Sequence, residues 1–333
     1  MVLLYHHVAE DTPAATTISP HLFKRHLDYL TEHGYQVLAL TDIVARLQQG
    51  EPLPAQTVAI TFDDAYRSLL EVAVPELNQR QWPYTVFVNT QAVATRAGPY
   101  LTWSELRALR DQGASIQNHS HSHDHLAFPA PEESRSAWIK RVREDIALAQ
   151  QQLTTQLEIE PTLFAWPYGE YTPELDAVVQ QLDLVGFAQQ SGAISVDALS
   201  SGQAALPRTP FNEQNGGMDR FIERLKMLPL PVQSDPPTGL RLSASEDRPA
   251  VKIDISAPPA RIDELACYAN GVALNISEVT HRGQSYSATL VPSQAFKPGR
   301  TKINCTVPAE HGRWYWWSHL SMLPYPDGSW YTF

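Results

Sequence analysis

Up to residue 228 the chain alternates short apolar runs with longer stretches of helical spacing, and this alternation limits the fold more than any other feature. Residues 2–5, 58–62, 85–89, 115–118, 163–165 and 185–188 read as strands, being short, apolar or mixed, and free of internal proline. Residues 19–34, 65–80, 102–113, 132–153 and 172–182 carry helical patterns between them. Thr102-Trp103-Ser104-Glu105 has the form of a capping box opening a helix that Gly113 closes. Thr172-Pro173-Glu174 sets a proline at a first helical position. Strands spaced by helices in this way are joined as parallel crossovers, which predicts an α/β sheet or barrel. Neither an internal repeat nor a Gly-rich phosphate loop is present.

The rhythm changes near Leu228. Residues 229–239, rich in proline and ending Asp235-Pro236-Pro237-Thr238-Gly239, read as a linker between a first domain, 1–228, and a second, 240–333. The second domain alternates short strands (251–255, 266–269, 286–291, 302–307, 313–317) with turns such as Asn270-Gly271 and Asp327-Gly328. This pattern predicts an all-β, immunoglobulin-like sandwich. Within it, strand alternation puts Trp314 and Trp316 on one face and Tyr315 and Trp317 on the other, with Trp330-Tyr331 to follow. Such rings serve either as core or as a platform for sugars.

Composition narrows the partners. The formal net charge is −11 and no basic run occurs, which argues against nucleic acid and anionic membranes. No stretch of about 18 uncharged apolar residues exists to span a bilayer. Met1 leads straight into Val2-Leu3-Leu4-Tyr5, without the regions of a signal peptide, so the expectation is a cytosolic protein or a chain that follows a removed signal. Cys267 and Cys305 are the two cysteines; they are either one disulfide of an oxidising compartment or two buried thiols.

Three stretches carry chemistry. Asp63-Asp64 ends the strand at 58–62, and adjacent carboxylates there repel unless a cation or hydrogen bonds offset them. Asn118-His119-Ser120-His121-Ser122-His123-Asp124-His125 holds four histidines in seven residues after another strand. Imidazoles at i and i+4 converge on one ion if the segment turns, but His119/His123 and His121/His125 share that spacing. The third stretch, Phe164-Ala165-Trp166-Pro167-Tyr168-Gly169-Glu170, is a turn that again follows a strand.

In this order and spacing the three stretches resemble the polysaccharide deacetylases of NodB type, carbohydrate esterase family 4. Trp103 ahead of the His motif and the opening Leu4-Tyr5-His6-His7-Val8 add to a resemblance that covers residues 2–228. It implies a distorted (β/α) barrel with the site at the C-terminal ends of its strands. It also implies one divalent metal on Asp64, His119 and His123, zinc first, with cobalt, nickel or iron tolerated. By the same resemblance Asp63 is the catalytic base, the Tyr168 main-chain N–H faces the developing oxyanion, and Trp103, Trp166, Pro167 and Tyr168 line the substrate side. The substrate implied is an acetylated amino-sugar poly- or oligosaccharide in the periplasm or outside the cell. The alternatives are an O-acetyl esterase of acetyl-xylan type or a glycan-binding relative.

Two family features are missing. Ala165 stands where an arginine often begins the third motif, and no Leu-x-His motif follows to supply a general acid. Arg208, in Leu206-Pro207-Arg208-Thr209-Pro210, is the candidate to orient Asp63, and His6 or His7 the candidate acid. Strand alternation favours His6 only if Tyr5 faces the helices.

Overall fold

The computed structural model describes residues 1–95, 98–195 and 205–330. The chain divides into two compact units that part between Leu225 and Lys226, with Thr172–Glu174 and Gln190–Ala193 grouped with the second.

The first unit is built on parallel strands in the order Thr209–Pro210, Val2–Tyr5, Thr57–Asp63, Thr85–Val88, Ser115–Asn118, Leu163–Ala165 and Val185–Phe187. One short segment links the two edges. Leu206 bridges to Phe187, while three residues later Thr209 pairs with Leu3, so Arg208 stands in the seam that curls the sheet into a barrel. Alternation then sorts the side chains. Leu3, Tyr5, Ile60, Phe62, Val86, Val88 and Ile116 join the outer core under the helices. Val2, Ala59, Phe87, Leu163, Ala165, Phe187 and Leu206 make an inner cluster. Asp63 and His119 continue the inward-facing rows.

The helices begin and end where local chemistry dictates. Pro20–Glu32 starts on a proline, and Trp103–Asp111 has Thr102 as N-cap with the reciprocal Glu105 bond of a capping box. The pattern at 65–80 is helical only from Arg67, because Asp64 and Ala65 turn through positive φ (70° and 57°). Leu40–Gln48 and Met218–Leu225 are helices that the sequence reading missed.

In the second unit two largely antiparallel sheets share one core, to which Val251, Ile253, Ile255 and Leu290 contribute from one and Ile303, Cys305, Val307 and Trp317 from the other. Residues 229–239 are more than a linker. Val232–Asp235 pairs antiparallel with Val251–Ser256, and Met227–Pro229 pairs with the strand Trp314–Leu323. The prolines that suggested a linker end or flank these strands, where no ladder donor is lost. Cys267 and Cys305 are directly opposed on neighbouring strands of one sheet and form a disulfide, S–S 2.02 Å. Trp317 is buried in the core and Trp314 is exposed, as alternation requires. Tyr331 lies outside the described residues.

Candidate metal centre and active site

Asp63 ends the strand Thr57–Asp63 and Asp64 opens a sharp turn, and both carboxylates approach His119 Nε2, at 3.8 and 3.5 Å. Residues 99–101 hold that turn: Leu101 N–H donates to Ala65 O at 2.9 Å and Arg67 N–H to Pro99 O at 2.6 Å. Arg67 also pairs with Glu105, the capping-box residue, which ties the loop to the following helix.

Asp63 is fully buried, and so is Arg208. Arg208 Nη1 donates to Asp63 Oδ1 at 2.6 Å and Nη2 to Oδ2 at 2.8 Å. Its Nε donates to Ala188 O at 3.1 Å, and the guanidinium lies 4.7 Å from the Phe87 ring centroid. Every geometric lever that fixes an arginine is therefore in use: a bidentate carboxylate, a main-chain acceptor and an aromatic face. Burial alone would raise the pKa of Asp63, but the positive charge of Arg208 and its hydrogen bonds hold it below the usual carboxylate range.

Asp64, His119 and His123 bring one ligand atom each within 4.8 Å of one another. His119 Nδ1 lies 2.8 Å from Ala165 O. A carbonyl only accepts, so Nδ1 carries the hydrogen and Nε2 keeps its lone pair. Burial pushes the His119 pKa down to about 4, leaving the ring neutral at pH 7. Among the described residues His119 Nε2 and Asp64 Oδ1, 3.5 Å apart, are buried without a hydrogen-bond partner. His123 Nε2 stands 3.2 Å from the same carboxylate oxygen. Orphaned acceptors of this kind are costly in a folded protein, and a divalent cation among them removes the cost, so the donor set fits a metal. The segment reaches this shape through Ser120 and His123, both at positive φ, with Ser120 Oγ accepting from His123 N–H at 2.9 Å.

His121 and His125 stand outside that cluster. His121 Nδ1 lies 2.9 Å from Thr90 Oγ1, and the carboxylate of Asp145 accepts from the N–H groups of His121 and Ser122. The His125 ring stacks on Tyr168 and bonds Glu170. No role attached to Glu170 in the sequence, since a glutamate after Pro-Tyr-Gly gives no signal until the fold sets it beneath His125.

The two N-terminal histidines part company. Tyr5 faces the helices, its OH 3.0 Å from His26 Nδ1 and its ring edge-on to Phe23. Alternation accordingly sets the neighbouring His6 on the inward side. His7 is buried and stacked on Tyr66 at 3.5 Å, and burial pushes its pKa down to about 4. A ring that is neutral at pH 7 is not a ready proton donor.

The substrate side needs a correction. Trp166 is 0% exposed and packs edge-on against Phe164, so its ring supports the turn and offers no face to a sugar. Pro167 is buried as well, Trp103 is half-buried against the outer core, and Tyr168 is half-buried at φ 58°. An aromatic beside a motif signals a platform in sequence, but alternation past the inward-facing Ala165 puts this ring on the opposite side, packed with Phe164.

Comparison with known proteins agrees with this geometry. Residues 50–187 match the family model described as polysaccharide deacetylase. A poly-beta-1,6-N-acetyl-D-glucosamine N-deacetylase of Escherichia coli is 26% identical over 238 residues, 59% of this chain and 34% of that protein. The chain thus spans about a third of that relative's length. The solved structure of the Streptococcus pyogenes deacetylase PplD in complex with acetate aligns with a TM-score of 0.59 at 22% identity, covering 67% of this chain and 96% of that one. A de-N-acetylase from Aggregatibacter actinomycetemcomitans aligns at 0.60 and 20%, covering 67% and 98%. The parallel-strand fold is therefore shared with solved deacetylases, and residues 50–187, which hold Asp63, Asp64, His119 and His123, match the polysaccharide deacetylase family.

Proposed function

We propose that the first unit is a metal-dependent deacetylase that hydrolyses the N-acetyl groups of N-acetylglucosamine units in a poly- or oligosaccharide. One observation carries the reading: a buried carboxylate clamped by arginine adjoins an Asp-His-His set in which Asp64 Oδ1 and His119 Nε2 are buried with no hydrogen-bond partner among the described residues. The E. coli relative is named for this reaction on a β-1,6-linked polymer.

Asp64, His119 and His123 hold the metal, and zinc suits a two-histidine, one-carboxylate set. When bound, the ion supplies Lewis acidity toward an amide carbonyl and a water molecule. Asp63, kept ionised by Arg208, takes a proton from the attacking water as its oxygen bonds to the acetyl carbon. The Tyr168 main-chain N–H stabilises the charge that develops on the carbonyl oxygen. The carbon–nitrogen bond then breaks, the amine takes a proton from His6, and acetate and a free amino sugar leave. The Cys267–Cys305 disulfide supports an exported location, since such bonds persist in oxidising compartments.

The test is metal content together with acetate release from N-acetylglucosamine oligomers of β-1,6 and β-1,4 linkage and from acetyl-xylan. Release from the amino-sugar oligomers is expected. Release from acetyl-xylan alone would make the protein an O-acetyl esterase.

A further inference from the structure

His125 and Glu170 take no part in the chemistry above, yet a chain of ring contacts joins them to a metal ligand. His125 Nδ1–H donates to Glu170 Oε2 at 2.8 Å, and Glu170 is fully buried. The His125 ring lies on Tyr168 with centroids 4.1 Å apart and planes within 17°. Tyr168 meets His123 edge-on at 4.6 Å and 64°. Tyr168 itself is held at φ 58°, which a non-glycine residue keeps only when its surroundings impose it. Gly169 follows at φ 68°, where an added Cβ would come within 2.6 Å of Gln189 Cβ and 2.7 Å of its main-chain nitrogen. The turn is thus pinned by close main-chain packing on one side and by the histidine ring on the other.

We propose that His125, fixed by Glu170, is a positioning residue: its ring sets Tyr168 against the ligand His123, so that the Tyr168 N–H and the metal side of the site meet one and the same acetyl carbonyl. The inference rests on the deacetylase reading above. Burying a carboxylate is costly unless it is paired, and pairing it to one ring nitrogen fixes that ring's rotation as well as its place. Donors aimed at a developing oxyanion work only when held before the reaction begins, and errors of about 1 Å can cost a hundredfold in rate.

The experiment uses the full chain loaded with cobalt(II), reading metal content, melting temperature, kcat and KM on an N-acetylglucosamine oligomer, and acetate binding from the cobalt absorption bands. His125→Ala should keep one metal per chain and a KM within about twofold, lose about tenfold or more in kcat, and bind acetate more weakly. The double variant His125→Phe with Glu170→Leu keeps a ring on Tyr168 and removes the buried charge, and it should recover most of kcat. That variant also decides the matter if His125→Ala fails to fold. Unchanged kcat in His125→Ala with an active wild type overturns the inference and leaves the deacetylase reading standing. Loss of metal in His125→Ala, or a double variant that folds and holds metal without recovering, overturns it too. A metal-loaded wild type that releases no acetate from any amino-sugar oligomer overturns both.

Discussion

Arg208 and Asp63 are joined by two parallel hydrogen bonds across 145 residues of chain, with both side chains fully buried. The pair can form because Arg208 sits in the seam between the two sheet edges, one residue from the strand beside Val2–Tyr5. It offers, from the segment just before the strand Thr209–Pro210, a positive charge that Ala165 cannot supply.

Arg208→Ala should therefore harm both activity and stability. Removing one member of a buried pair leaves the other charge uncompensated, which costs about 3–5 kcal/mol. Arg208→Lys keeps a charge but loses the fork, so it should fold better than the alanine variant and still turn over slowly. Denaturant midpoints and acetate release measure the two effects separately. A lysine variant with wild-type turnover would show that the second hydrogen bond is dispensable.

How far the site was legible depends on whether its residues are close in sequence. Asp64, His119 and His123 lie in short motifs directly after strands, and those strands were readable as short, proline-free runs, apolar at residues 58–62 and mixed at 115–118. Alternation was equally readable, and the packing of Tyr5 on Phe23 meets the condition under which His6 is the favoured candidate. Arg208 had no local signature beyond a Leu-Pro-Arg-Thr-Pro segment, since its role depends on a seam that exists only once seven strands have curled. The helix Leu40–Gln48 was hidden by a short polar-flanked pattern, and the strand Val232–Asp235 by its prolines. Trp166 misled because a motif aromatic carries no mark of which way its strand exit turns it.

Asp63→Asn separates the base from the ligands. The amide still accepts from Arg208 but cannot take a proton, so the variant should bind metal and lose about 100-fold or more in kcat. Metal analysis beside kinetics decides the matter; a metal-free Asp63→Asn protein would make Asp63 a ligand.

The cluster itself makes a contrasting set of predictions. Asp64→Ala, His119→Ala and His123→Ala should each lose the metal after dialysis and with it the activity, because each removes one of three donors. His121→Ala should keep the metal, since its ring nitrogen lies beside Thr90 Oγ1 and not in the cluster. Metal retained by His119→Ala and lost from His121→Ala would invert the assignment.

A last prediction concerns pH and lies away from the metal. Asp176, on the helix Pro173–Gln180, is 5% exposed and accepts from Gln180 Nε2 at 2.6 Å. Burial raises its pKa from 3.8 to about 7, and the Gln180 bond lowers it only in part. The folded state therefore holds this proton more tightly than the unfolded state does. Between pH 4 and pH 7 the unfolded chain has released the proton while the folded chain keeps it, so the Asp176 contribution to stability falls as pH rises. Below pH 4 both states are protonated and above pH 7 both are ionised, so the change is confined to that window. A shift of about three units amounts to about 4 kcal/mol at most. Asp176→Asn keeps an oxygen for Gln180 and cannot ionise, so it should unfold close to the wild type at pH 4 and at a higher denaturant concentration at pH 8. The measurement is the difference between the two unfolding midpoints across that range. A difference that stays constant with pH would mean that Asp176 is ionised in the folded protein throughout.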